Sequence, residues 1–152
     1  MGLNEGGSVS ALPPSSAMQE VDMEEPPKTK YVFAVPGVPP SFNDWAAWPF
    51  GKQRRIRDQW KHMVMAVLRE KGNVAPRHLN RVELNAVIMF ATVAPRRDRD
   101  NYYMPFWKWT QDQLIDSKVI VDDSADHCIS HPPKLMQGTK PLTIVTITYE
   151  EE

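Results

Sequence analysis

The sequence predicts an α+β fold: a small mixed β-sheet covered by two main helices, in the order β-α-β-α-β-β. Three observations carry this. Apolar residues recur at helical spacing from about Gln53 to Lys71, a dense apolar and β-branched run follows in RVELNAVIMFATVAP, and the chain closes on clean two-residue alternation in PLTIVTITYEEE.

Taken in order, residues 1–28 are rich in Gly, Ser, Pro and Glu without any period and predict a disordered acidic tail, with the folded domain occupying 29–152. Tyr31 to Val35 is a short β-run stopped by Pro36, and SFNDWAAWPFGKQRR after it predicts a long loop. Trp45, Trp48 and Phe50 in that loop either stack on DNA bases or cover the edge of a core. In the first main helix Ile56, Trp60, Met63, Val64, Val67 and Leu68 form the inner stripe, and Gly72 is a suitable stop. The run from Arg81 to Pro95 predicts a well-buried strand of about ten residues. PFWKWTQDQLIDSK is the second helix, with Trp107, Thr110 and Leu114 facing inward and Pro105 in its first turn. A polar strand within ADHCISHPP precedes the final one.

The totals bound the function. A chain of 152 residues, 41% hydrophobic and 24% charged, has the size and composition of one soluble globular domain, and no window approaches the ~18 apolar residues of a membrane span. The start has neither a basic n-region nor an apolar h-region, and the single cysteine, Cys128, fits a reducing compartment; the expectation is a cytoplasmic protein of a bacterial or phage-infected cell. Of the formal net charge of −1, residues 1–28 carry −4 and Glu150 to Glu152 carry −3, which leaves +6 on the body between them. A basic body between acidic ends suits a polyanion partner, or is simply a solvated surface. Lys52, Arg54, Arg55, Arg57 and Lys61 open the first helix and are candidates for gripping a phosphate backbone.

The sharpest local feature is RRDRDN, Arg96 to Asn101. Along an extended chain Asp98 and Asp100 project to the same side with Cα atoms about 6.5–7 Å apart. Carboxylates so placed suit a hard divalent cation such as Mg²⁺; alternatively they pair with the neighbouring arginines in a loop. Asp122 or Asp123, beyond the second helix, would complete the oxygen set, and Arg96, Arg97 and Arg99 would attract phosphate. Such a site matches phosphodiester hydrolysis. His127 and His131 tempt a zinc reading, but in a strand they stand about 13 Å apart, too far to share one ion.

RRDRDN followed after a helix by VIVDDS resembles the RusA family of Holliday-junction resolvases, and VPGVPPSFN resembles that family's early Pro-rich segment; the resemblance covers about residues 31 to 149. It implies a RusA-like fold, a Mg²⁺-dependent endodeoxyribonuclease with Mn²⁺ as its substitute, branched DNA as the partner and a homodimer. It implies Asp98, Asp100 and Asp123 as catalytic metal ligands. The family's functional lysine falls on Met104 without a gap, and on Lys108 if YYMP is an insertion, which also brings Asp112, Leu114, Asp122 and Asp123 into register. Asn101 is expected to cap or brace the turn into the helix. A non-catalytic DNA-binding protein, and a nuclease acting on flaps or forks, are the alternative readings.

Overall fold

The computed structural model describes residues 27–70, 74–92 and 97–151, and residues Thr29–Tyr149 make up one structural unit. The described residues form a mixed α+β fold: a five-stranded sheet and three α-helices. Strand β1 (Lys28–Pro36) leads to helix α1 (Phe42–Ala47) and helix α2 (Phe50–Leu68). Strand β2 (Val82–Phe90), a 3₁₀ turn (Arg99–Tyr102) and helix α3 (Phe106–Asp116) follow, and the chain ends through β3 (Cys128–Ser130), β4 (Lys134–Gln137) and β5 (Leu142–Glu150).

The sheet is ordered β1-β5-β2, with β3 and β4 sharing the far side of β2. Strands β2 and β5 are antiparallel, with Leu84 opposite Ile147 and Ala86 opposite Val145. Both β3 and β4 run parallel to β2, against Val82–Leu84 and Val87–Phe90 respectively. The alternation in β2 puts Val82, Leu84, Ala86, Ile88 and Phe90 on a buried face, while Glu83, Asn85, Val87 and Met89 are at least partly accessible. The strand expected from the dense apolar run is therefore present and buried on one face, while its other face stays partly accessible. The reason lies in the topology: α2 and α3 both contribute to the one core on that face, through Trp60, Val64 and Leu68 from α2 and Phe106, Trp107, Trp109 and Leu114 from α3.

The two main helices form as their spacing predicts. Trp60, Val64 and Leu68 are buried, with Ile56, Met63 and Val67 packed beside them, and Trp107, Thr110 and Leu114 are all buried in α3. Trp60 Nε1 donates to Thr110 Oγ1 at 3.0 Å, so the indole nitrogen that α2 buries is satisfied by α3.

Three expectations are corrected in this part of the chain. SFNDWAAWPFGKQRR is not a loop: Ser41 accepts a hydrogen bond from the Asp44 amide and caps α1, and α2 already begins at Phe50 behind Pro49. Strand β4 adds an element to the expected order. Helix α2 ends at Leu68, before Lys71, while Gly72 lies outside the described residues. No helix among the described residues is long and apolar enough to cross a membrane.

Candidate functional site

The carboxylates of RRDRDN sit at a turn. Asp98 is extended (φ −95°, ψ 125°) and caps the 3₁₀ helix Arg99–Tyr102, its Oδ1 accepting from the Asp100 amide at 3.0 Å. The expected extended geometry is thereby corrected: Asp100 belongs to the first helical turn, because a side-chain oxygen two residues before an amide competes well for it. Both aspartates are exposed.

Neither is neutralised by the arginines flanking Asp98 in the described chain. Arg97 lies over the Phe90 ring, 3.8 Å from its centroid, and donates to the carbonyl and hydroxyl of Thr92, each at 3.4 Å. Arg99 forks to the Pro133 carbonyl at 3.1 Å and the Pro132 carbonyl at 2.9 Å. Those carbonyls lie between β3 and β4, so Arg99 ties the turn to the edge of the sheet. Arg96 lies outside the described residues.

The second acidic group is organised by α3. Lys108, one turn into that helix and with a side chain 56% exposed, places its Nζ 3.3 Å from Asp112 Oδ1 and 3.7 Å from Asp123 Oδ2. The hydrogen bond to Asp112, then the charges of Asp112 and Asp123, raise the Lys108 pKa above its ordinary value. It is a fixed cation at neutral pH. Asp122 is turned back on its own backbone, accepting the Asp123 amide at 2.8 Å, which lowers its pKa. That leaves the Asp123 carboxylate, half-buried, facing Lys108. The role of Asp112 was signalled by its i,i+4 spacing from Lys108, which places both on one helix face.

The early Pro-rich segment also reaches this region. The Asn43 amide, in α1, donates to Asn101 Oδ1 at 3.1 Å across 58 residues. Asn101 braces the 3₁₀ turn against α1, a contact that sequence reasoning expected only in kind. Among the described residues, no group of three His, Cys, Asp or Glu side chains stands close enough together to hold a metal ion.

Of the basic residues opening α2, Arg57 pairs with Asp58 at 3.0 Å, Lys61 with Asp116 at 3.3 Å, and Lys52 lies over the Trp48 ring, 4.3 Å from its centroid. Arg54 and Arg55 are exposed and have no carboxylate partner among the described residues. Trp45 is half-buried against the core edge, while Phe50 is 79% exposed. His127 and His131 turn to separate partners, the Asn80 carbonyl at 2.9 Å and Glu83 Oε2 at 2.6 Å.

No protein-family model matches the chain, and no curated protein matches it.

Proposed function

We propose that the chain is a RusA-like, Mg²⁺-dependent endodeoxyribonuclease that resolves four-way DNA junctions by paired phosphodiester hydrolysis. The observation that carries this reading is the state of Asp98 and Asp100: two exposed carboxylates two residues apart, with Arg97 and Arg99 both turned to other partners. Like charges two residues apart on one turn, without a counter-cation from those neighbours, suit a hard divalent ion. Support also comes from the meeting of segments distant in sequence, Asn43 with Asn101 and Lys108 with Asp123. The second contact favours Lys108 over Met104 as the functional lysine.

The donor set fits Mg²⁺ in its chemistry, since all three candidates, Asp98, Asp100 and Asp123, offer hard carboxylate oxygens. It does not fit as a ready-made cage, because the described residues gather no such trio. Bound there, Mg²⁺ would supply an oriented hydrolytic water and neutralise charge on the phosphate oxygens. The chain's own contributions are separable from that. Lys108 presents a permanent positive charge beside Asp123 to a phosphate oxygen, and Arg54 and Arg55, without a carboxylate partner among the described residues, offer guanidiniums to the DNA backbone. Two strands of equal standing at a four-way junction call for two equivalent sites, hence a two-fold homodimer.

The absence of a gathered trio among the described residues favours a second reading, a junction-binding protein without catalysis. One comparison separates the two. Asp100→Asn is expected to bind a synthetic four-way junction as tightly as the wild type and to have lost Mg²⁺-dependent cutting by more than about a hundredfold. A wild type that binds junctions and never cuts them, with Mg²⁺ or Mn²⁺, establishes the binding reading; full cutting by Asp100→Asn defeats the site assignment.

A further inference from the structure

The far end of α3 borders a feature that the carboxylate turn does not use. The end of α2 with Arg69 after it, the segment Ala75–Arg77 and the residues Asp116–Val119 line a partly open cavity of about 280 Å³. Leu68 and Val119, both buried, contribute apolar lining. Arg69, Arg77 and Lys118, three exposed basic residues, belong to the same lining. Its carboxylate, Asp116, is already engaged by Lys61 at 3.3 Å, and none of the three cations has a carboxylate partner among the described residues.

The wall is held firmly. The His78 amide donates to the Lys118 carbonyl at 2.8 Å and the Leu79 amide to the Val119 carbonyl at 2.9 Å. Lys118 sits at φ 65°, a left-handed conformation that reverses the chain directly after α3. Ser117 Oγ accepts from Gln113 Nε2 at 2.9 Å, which leaves its own O–H to donate.

Three like charges around one small concavity repel one another, and an anion inside removes that cost. Donors of this kind, two guanidinium forks, an ammonium and a hydroxyl, suit a tetrahedral, multiply charged oxyanion better than a planar carboxylate. We propose that this cavity binds a phosphate group, belonging either to a nucleic-acid strand or to a free nucleotide. It is distinct from the Lys108 region: Ser117, the C-cap of α3, follows Lys108 by nine positions, about 13 Å along the axis, so one phosphate cannot touch both. The inference stands whether or not the carboxylate turn cuts DNA.

The test is a titration of the full chain, ¹⁵N-labelled, with inorganic phosphate at constant ionic strength. Saturable shifts are expected at the amides of His78, Ser117, Lys118 and Val119. Arg69→Gln combined with Arg77→Gln is expected to weaken phosphate binding at least about tenfold while the rest of the spectrum stays in place; if that variant does not fold, Lys118→Gln serves for the comparison. Deoxyadenosine monophosphate and a blunt duplex of about twelve base pairs distinguish the sources. Saturation of these amides by the duplex, in competition with phosphate, identifies a strand contact, and saturation by the mononucleotide alone identifies a free-nucleotide site. No saturable shift with any of the three probes, or unchanged affinity in the folded variant, overturns the proposal.

Discussion

Asn43 and Asn101, 58 residues apart, are joined by a backbone-to-side-chain hydrogen bond of 3.1 Å that fixes α1 against the turn carrying Asp98 and Asp100. The bond is exposed, so its thermodynamic weight is small, whereas its positional weight is not. Asn101→Ala is expected to lower unfolding free energy by about 0.5–1 kcal/mol in urea and, on the proposed nuclease reading, to reduce junction cutting by more than that loss of stability explains. Equal junction cutting by Asn101→Ala and wild type at a temperature where both are folded would remove the bracing role.

Thr110 supplies the acceptor for a buried indole. Thr110→Val keeps the shape of the side chain and takes away the oxygen 3.0 Å from Trp60 Nε1, leaving that N–H without a partner in the core. A loss of about 1–3 kcal/mol in urea unfolding is expected. A loss under about 0.5 kcal/mol means that the indole finds another acceptor.

Lys108 has a pKa raised above 10.5, by Asp112 first and Asp123 after it. A base whose pKa is higher in the folded chain stabilises the fold at every pH below its unfolded value, and loses that contribution as pH climbs through the folded value. Lys108→Met is therefore expected to differ from wild type at pH 7 and to converge on it as pH rises above 10.5. With more than half of the side chain exposed, the difference at pH 7 stays below about 1 kcal/mol. A gap that does not shrink as pH rises above 10.5 rules out the ion pairs as its source.

Cys128 is buried in β3, and burial, with the Asp123 charge behind it, pushes its thiol up from 9.0 to about 11. At pH 8 that leaves about one thiolate per thousand against about one in ten at the ordinary value, so iodoacetamide should alkylate the native chain at least about a hundredfold more slowly than a free cysteine. Alkylation at the free-cysteine rate would show that β3 opens readily.

The parts of this fold legible in sequence are those set by periodicity. Trp60, Val64 and Leu68 in α2 and Trp107, Thr110 and Leu114 in α3 are buried where a 3.6-residue repeat puts them, and Thr143, Val145 and Ile147 where a two-residue repeat does. What escaped is decided by single hydrogen bonds. Ser41 capping the Asp44 amide turns an aromatic, Pro-flanked loop into α1, and Asp98 capping the Asp100 amide turns an apparent strand extension into a 3₁₀ turn. Strand β4 has four residues and no alternating burial, and it exists because β2 offers it a partner. At the candidate site, the residue types and their grouping were legible. The turning away of Arg97 and Arg99 was not, since it depends on Phe90, Thr92 and two proline carbonyls that meet them only in three dimensions.

The prolines at 132 and 133 have a bearing on how the molecule behaves at high concentration. They separate β3 and β4, three and four residues long, and neither can donate a backbone N–H. The rim that a stray strand would meet on that side is thus broken into pieces too short to template a long ladder, and two of its carbonyls are already taken by Arg99. Edge-to-edge aggregation is blunted there by the very fork that anchors the acidic turn.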